Sequence, residues 1–177
     1  VSLIDLQEGL YNRPDFLPDA LHPNIEGAGI IASTVYSALT GDYGGLQLSQ
    51  LYSDNMVLQR EEEIVLSGIA NAGEVVTVTI GRQKKKAITA SNGKWSVALD
   101  PLHTGNPYTL TISTLKKKYV YNNVLAGEVW LCSGQSNMAF MVKEGAEKRE
   151  QLAKASSKPQ IRFFDMKPRW LTNSEEW

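Results

Sequence analysis

The chain has 177 residues, of which 42% are hydrophobic and 21% charged, enough for one ordinary domain or for one small domain with pieces beside it. Eighteen basic and nineteen acidic side chains give a net charge of −1, so the composition implies no nucleic-acid partner. The apolar runs are far shorter than the roughly 18 residues that a membrane helix needs. One cysteine and two histidines exclude a disulfide framework and argue against a metal centre. Residues 1–8 already carry Asp5 and Glu8 and lack a basic start, so no secretion signal is visible in them.

Charge and hydrophobic period both change twice along the chain. Residues 1–45 carry a net charge of −5, residues 46–125 a net charge of +3, and residues 126–177 a net charge of +1. The hydrophobic pattern changes at the same places. We therefore expect three structural units with these boundaries.

The first unit is expected to be a loop followed by a helix. Pro14, Pro18 and Pro23 predict a loop without regular structure. Asn24 is suited to cap a helix, and Gly41 is suited to end it in a left-handed conformation. Apolar residues three and four positions apart form one stripe that needs a sheet or a partner to cover it: Ile25, Ala28, Ile31, Ala32, Val35, Ala38 and Leu39.

Glycine also marks the start of this helix. Gly27 and Gly29 each weaken a helix by roughly 1 kcal/mol relative to alanine. Two of them in the first turn predict that another part of the backbone approaches closely there.

The second unit has the pattern of a small antiparallel β-sandwich. Short β-branched or alternating runs are separated by turn-forming residues at intervals of about 8–12 residues. The predicted strands are 46–51, 56–58, 64–68, 75–80, 86–89, 95–99, 108–112 and 119–125. The lysine runs 84–86 and 116–118 could form a binding patch, but we prefer solvated edges or hairpin tips, where lysine discourages pairing between sheets.

The third unit resembles the opening of an α/β domain. Residues 128–132 form an apolar run typical of a buried parallel strand. A charged, helix-favouring stretch at 143–154 and a second predicted strand at 161–165 follow it. The expected fold class is therefore mixed, a central antiparallel β-sandwich flanked by partial α/β segments.

Ser136 is the first residue that could carry chemistry. It follows the predicted buried strand at the start of a predicted helix, where open α/β folds place their ligands and where unpaired N–H groups can stabilise an oxyanion. Gly134 would permit the sharp turn, and Asn137 could orient a substrate oxygen. The structural alternative makes Ser136 an ordinary helix N-cap. Cys132 is expected to be a small core residue.

Asp19 and His22 form a second candidate site. A carboxylate three residues before a histidine can accept the Nδ1–H of the imidazole and leave Nε2 as a general base. Alternatively, Asp19 caps a turn and His22 merely precedes Pro23. His103, between two predicted strands, is expected to be structural or exposed.

Two blocks of this sequence resemble one family. Gly127-Glu128-Val129-Trp130-Leu131-Cys132-Ser133-Gly134-Gln135-Ser136-Asn137-Met138 resembles the nucleophile block of sialate O-acetylesterases, a branch of the SGNH (GDSL-like, flavodoxin-like) hydrolases. The segment from Leu51 to Arg60 and the sheet up to Leu125 resemble the β-sandwich that leads into that catalytic domain. Leu17–Asn24 and the helix after it resemble the closing Asp-x-x-His block of an SGNH domain.

The resemblance implies a serine ester hydrolase that removes O-acetyl groups from sugars without a metal or organic cofactor. Ser136 would be the nucleophile, Asp19 and His22 the partners of a nucleophile, and Gly134, Gln135 and Asn137 the oxyanion and substrate-binding residues. The substrate would be an O-acetylated carbohydrate, and the location periplasmic or extracellular. No nucleic-acid or membrane partner is implied.

The order of the blocks departs from the family pattern, because the closing block precedes the nucleophile block. The simplest expectation is a piece of a tandem esterase: the tail of one SGNH domain at 1–45, a sandwich at 46–125, and the head of a second at 126–177. Such a chain would lack a complete triad and would be nearly inactive alone, and a homo-oligomer or the rest of the esterase would cover its apolar residues.

Two alternatives stay open at the level of the sequence. Asp19 and His22 could meet Ser136 within one chain or across a dimer and form a shared triad. The sandwich could instead be a non-catalytic spacer, which we prefer, or a carbohydrate-binding module that uses Trp95, Tyr108 or Tyr119.

Overall fold

The computed structural model describes residues 3–7, 9–11, 13–134 and 158–164. A single 3-10 turn at Pro14–Phe16 precedes the helix α1 (Ile25–Thr40), so the proline-rich segment is less irregular than expected. The side chain of Asn24 accepts a hydrogen bond from the N–H of Gly27, and Gly41 ends the helix with a φ of 72°. Both predicted helix ends are confirmed.

In the described part of the chain, seven strands follow the helix. They are β1 (Val57–Gln59), β2 (Ile64–Ile69), β3 (Val75–Ile80), β4 (Gln83–Ile88), β5 (Lys94–Leu99), β6 (Tyr108–Ser113) and β7 (Lys118–Gly127). Five of them form one sheet in the order β1-β7-β6-β3-β4, and β2 pairs with β5 in a second sheet. We call residues 46–127, which contain both sheets, the β unit.

One hydrophobic core joins the two sheets. The β5 strand alternates strictly between exposed and buried residues, as expected for a strand with one face in a core. Both sheets contribute buried side chains to this core, among them Leu66 (β2), Val78 (β3), Trp95 and Val97 (β5), Leu110 and Ile112 (β6) and Val124 (β7). The described part of the chain is therefore rich in β-structure, and most of the buried apolar side chains there belong to this core.

Three details of the predicted sheet are wrong. The strand predicted at 86–89 is β4, which begins three residues earlier, at Gln83, and ends at Ile88. Residues 46–51 form no strand: Gln47 makes an isolated bridge to Ile69, and the N–H of Tyr52 then turns back to the carbonyl of Ser49. The pairing of β1 with β7 is parallel, whereas the sequence pattern indicated antiparallel pairing throughout. These two strands lie far apart in the sequence, so no hairpin turn fixes their relative direction.

The predicted strands at 128–132 and 161–165 are also wrong. Residues 128–134 and 161–164 have no regular secondary structure, and Trp130, Leu131 and Phe163 are 80%, 89% and 91% exposed. An apolar run becomes a buried strand only where neighbouring strands pair with it, and none does so in the described part of the chain. Cys132 is therefore exposed and is not the core residue that was expected.

The end of α1 is attached to the β unit through a loop. The N–H groups of Tyr43 and Gly45 both donate to the side-chain oxygen of Asn71, at 2.8 and 2.9 Å. The Tyr43 hydroxyl donates to the carbonyl of Ser91, and its ring covers Gly93 so closely that a Cβ there would lie 2.5 Å from the ring. Glycine at position 93 is thus required by this contact.

The apolar stripe of α1 is only partly covered. Ile31, Val35 and Ala38 are half-buried, whereas Ile25 and Leu39 are 92% and 75% exposed. Among the residues that the structure describes, no sheet packs across the whole stripe, so the cover that the pattern requires is incomplete there.

Candidate functional site

Asp19 and His22 form the side-chain pair that the sequence predicted. His22 Nδ1 lies 2.6 Å from Asp19 Oδ2, which is hydrogen-bond distance. The other carboxylate oxygen, Oδ1, accepts the backbone N–H groups of His22 and Leu21 at 2.6 and 3.0 Å. The carboxylate therefore fixes both the loop and the orientation of the imidazole.

The base of this loop is closed by hydrogen bonds around Asn24. Its backbone N–H donates to the carbonyl of Phe16, and its side-chain Nδ2 donates to the carbonyl of Asp15. At Gly27 a Cβ would lie 2.7 Å from the Phe16 carbonyl oxygen, so only glycine fits there. The expectation of close backbone approach is confirmed for Gly27 and is wrong for Gly29, where a Cβ would meet nothing within 4 Å.

Hydrogen bonding makes Asp19 an unusually strong acid. The backbone N–H of His22, its imidazole and the N–H of Leu21 stabilise the carboxylate and lower the pKa of Asp19 from 3.8 to about 2. Asp19 is thus ionised throughout the range in which an imidazole titrates. A charged acceptor at Nδ1 suits the orienting role that a carboxylate plays for a histidine general base.

Among the residues that the structure describes, Gly134 is the only other predicted site residue. The side chain of His22 is 81% exposed, and no described serine, threonine or cysteine donates a hydrogen bond to it. Gly134 is exposed and lies in the irregular segment 131–134. Ser136, Gln135 and Asn137 lie outside the described residues, as does the predicted helix at 143–154.

Three residues that we did not single out fix the direction in which the chain leaves the β unit. Arg60 Nε donates to Glu128 Oε1 at 2.6 Å, and Gln59 Nε2 approaches the other carboxylate oxygen at 3.4 Å. The N–H of Val129 donates to Gln59 Oε1 at 3.0 Å. The pairing lowers the pKa of Glu128 and raises that of Arg60. The sequence offered one signal for this contact: Arg60 ends the segment that begins at Leu51, and the oppositely charged Glu128 lies near the start of the nucleophile block.

Arg162 makes a second, distant contact with the β unit. Its guanidinium donates to the backbone carbonyls of Asn55 (2.8 Å) and Asn123 and to the side-chain oxygen of Asn123 (3.1 Å). Both asparagines have a positive φ, 66° and 57°, and their side chains bond to one another at 2.7 Å. Asparagine tolerates the left-handed region better than other side chains, which is the only sequence signal for this contact.

The remaining features of the described residues do not form an alternative site. Trp95 is 3% exposed and belongs to the core, so it cannot stack on a sugar. A shallow cleft of about 470 Å³ beside Tyr36 and Tyr43 contains none of the predicted site residues. In the described part of the chain, no three histidine, cysteine, aspartate or glutamate side chains cluster closely enough to hold a metal ion. No helix there is long and apolar enough to span a membrane.

Comparison with known proteins agrees with the sequence motifs. No family model matches the chain. The sialate O-acetylesterases of Rattus norvegicus and Homo sapiens are 36% and 30% identical to it over 137 and 135 residues, which cover 71% and 70% of this chain. A carbohydrate acetylesterase structure from Xanthomonas citri superposes with a TM-score of 0.62 at 27% identity, over 65% of this chain and 26% of the other.

The matched region is a limited part of the related proteins. The chain spans about a quarter of the length of the sialate O-acetylesterases that it matches, 25% for the rat protein and 26% for the human one. The identity nevertheless extends over most of this chain and agrees with the superposition of the acetylesterase structure. The chain belongs to the sialate O-acetylesterase-like family.

Proposed function

We propose that this chain is part of a carbohydrate O-acetylesterase, a serine ester hydrolase, with Ser136 as the nucleophile. The observation that carries the proposal is the block Gly127–Met138, in a chain 30–36% identical to sialate O-acetylesterases over about 70% of its length. The similarity to the carbohydrate acetylesterase from Xanthomonas citri supports the same substrate class. The proposal includes three further assignments. Residues 46–125 form a β-sandwich, the flanking segments are parts of SGNH domains, and the protein acts outside the cytoplasm.

In the proposed reaction, Ser136 Oγ attacks the carbonyl carbon of an O-acetyl group. The ester C–O bond breaks, the sugar hydroxyl leaves with the proton that Ser136 gave up, and an acetyl-serine remains. Water then attacks the acetyl carbonyl carbon and the bond to Ser136 Oγ breaks. One proton of the water goes to Oγ, and the acetyl group leaves with the water oxygen as acetic acid, which ionises to acetate. Gly134, Gln135 and Asn137 are the proposed oxyanion and substrate-binding residues.

We place Asp19 and His22 in a separate half-site. Their geometry supports a general base, because Asp19 engages Nδ1 and leaves Nε2 to take a proton from a serine hydroxyl. The order of the blocks assigns this pair to the end of one esterase domain and Ser136 to the start of another. Because loss of a serine or histidine from such a triad costs on the order of 10⁶ in turnover, the chain alone should be nearly inactive.

A fluorophosphonate probe tests the two half-sites. In the purified chain, Ser136 should be labelled slowly, and His22→Ala should leave that rate unchanged. Rapid stoichiometric labelling that His22→Ala abolishes would instead support a shared triad of Asp19, His22 and Ser136.

The esterase assignment needs its own test. Expressed within its complete reading frame, the protein should release acetate from O-acetylated sialic acid or another acetylated sugar, and Ser136→Ala should remove that activity. The matched control is Ser133→Ala, which changes a hydroxyl three residues earlier. Acetate release that survives Ser136→Ala would refute the proposed nucleophile.

A further inference from the structure

The strand β1 carries contacts at both of its ends that a passive spacer does not need. At its carboxyl end, Gln59 and the next residue, Arg60, hold Glu128 and the N–H of Val129. Just before its amino end, the carbonyls of Asn55 and Met56 accept from Arg162, together with the carbonyl and side chain of Asn123. At roughly 3.3 Å per residue, Met56 and Arg60 are about 13 Å apart along the strand.

The first contact is directional as well as ionic. A single exposed ion pair stabilises little, and both Arg60 and Glu128 are partly exposed, at 37% and 50%. Here, however, Gln59 faces the same carboxylate and also accepts the next backbone N–H. The side chain of Gln59 thereby continues the parallel β1–β7 ladder by one step, so residues 128 and 129 leave the β unit in a fixed direction.

The second contact is a preformed cage of carbonyl oxygens. The left-handed conformations of Asn55 and Asn123 and the hydrogen bond between their side chains orient the carbonyls. The N–H of Asn55 is bonded in turn to the carbonyl of Asn122, and the N–H of Asn122 to Asp54 Oδ1. This cage accepts a forked guanidinium, whereas a lysine ammonium could satisfy fewer of its oxygens at once.

We propose that this edge of the β unit is a docking surface for the two described flanks of the segment that carries the nucleophile block, residues 128–134 and 158–164. The segment would be held at one end by Glu128 on Gln59 and Arg60, and at the other by Arg162 in the carbonyl cage. Its function as a platform for the nucleophile block rests on the function proposed above. Gln59, Arg60 and Arg162 are then positioning residues, and the β unit holds the catalytic segment in place.

Hydrogen exchange of the whole chain tests the docking directly. Arg60→Gln should speed the exchange of amides 128–131 severalfold, and Arg162→Gln should do the same for amides 161–164. Lys85→Gln is the matched control, because it breaks an exposed ion pair of similar geometry, Lys85–Asp100 at 3.1 Å, elsewhere on the β unit. It should change neither segment. Unchanged exchange in both segments of the Arg60→Gln/Arg162→Gln double variant would overturn the proposal.

Two further variants separate docking from damage to the fold. Exchanging the charges, with Arg60→Glu and Glu128→Arg together, should restore the protection of amides 128–131, and Arg162→Lys should restore less than half of that lost in Arg162→Gln. Core amides of Val78 and Ile112 report on the fold. Failure of the charge exchange to restore protection while these core amides stay protected would also refute the proposed pairing.

Docking and esterase chemistry can fail separately. Ser136→Ala should remove probe labelling and leave the exchange of both segments unchanged. In the complete reading frame, Arg60→Gln and Arg162→Gln should lower kcat severalfold with little change in KM, and the charge exchange at 60 and 128 should recover it. Altered exchange without any change in kcat would show docking that does not position the nucleophile, and would refute the positioning role.

Discussion

At the scale of single residues, Asp19 is the best-defined group of the candidate site. Three donors converge on its carboxylate: the N–H groups of Leu21 and His22 and the imidazole of His22. Ala20 beside it has a φ of 65°, a conformation that costs a non-glycine residue roughly 1–2 kcal/mol. The same hydrogen bonds hold the backbone on both sides of Ala20, so the geometry of the loop involves the charge of one side chain.

Titration of Asp19 should show this dependence. We expect its carboxyl carbon to titrate in NMR spectra with a pKa of about 2. Because the folded pKa lies below the ordinary value of 3.8, the stabilisation is fully present above pH 3.8 and is lost as the pH falls through 2. His22→Ala should move the midpoint only part of the way towards 3.8, since the backbone donors remain. A midpoint of 3.8 in the unaltered chain would contradict the hydrogen-bonded geometry.

The pairing of Asp19 with His22 could be predicted from sequence because the two residues are three positions apart in a loop bounded by prolines. The contact of Arg60 with Glu128 could not, since the partners are 68 positions apart and only the parallel register of β1 and β7 brings them together. Arg162 is similar: its acceptors are mostly backbone carbonyls, which every residue carries. Ser136 stays a prediction.

At the scale of elements, local signals located most of the elements that turns and caps define, although β4 begins three residues before its predicted start. Asn24 and Gly41 fixed the limits of α1, and alternation identified β5 with an error of one residue. The prediction of a buried strand at 128–132 is wrong because the burial of such a strand depends on neighbouring strands and not on its own residues alone. The predicted antiparallel direction is wrong for β1 because no tight turn connects this strand to β7.

The attachment of α1 to the β unit gives a sharp test with a matched glycine pair. Gly93 and Gly73 have nearly the same φ, 76° and 75°, but only a Cβ at position 93 would meet the ring of Tyr43. Alanine should cost roughly 1–2 kcal/mol at either position from backbone strain alone. We expect Gly93→Ala to cost more than Gly73→Ala in urea unfolding.

A double-mutant cycle isolates the ring contact. In a Tyr43→Ala background the two glycine variants should become equally destabilising, because the clash is gone. Equal costs in the presence of Tyr43 would show that the ring does not cover Gly93.

At the scale of the whole molecule, stability is concentrated in the β unit. Its core contains Leu110, Ile112 and Val78, all with 0% exposure, whereas Gly27 is the only buried residue of α1. The edge of the five-stranded sheet is protected from pairing with other sheets. The edge strand β4 carries the exposed residues Lys84 and Lys86, as the lysine pattern predicted.

Truncation of a core side chain should therefore affect the whole β unit. We expect Leu110→Ala to lower the free energy of unfolding by about 2–5 kcal/mol, because it removes a fully buried side chain and leaves a cavity. Val65→Ala, at a strand position with 61% exposure, should change it by only about 0.5 kcal/mol. Similar costs for both variants would contradict a core centred between the two sheets.

The parallel pairing of β1 with β7 also has a consequence for the order of events during synthesis. Val57 pairs with Leu125, so the edge strand is made long before its only neighbour in the described chain leaves the ribosome. Closing a loop of this length delays the contact, and meanwhile an unpaired strand is open to wrong partners. The sheet is thus completed among the last steps of folding, when the nucleophile block itself is emerging. The contact of Gln59 and Arg60 with Glu128 forms at the same stage.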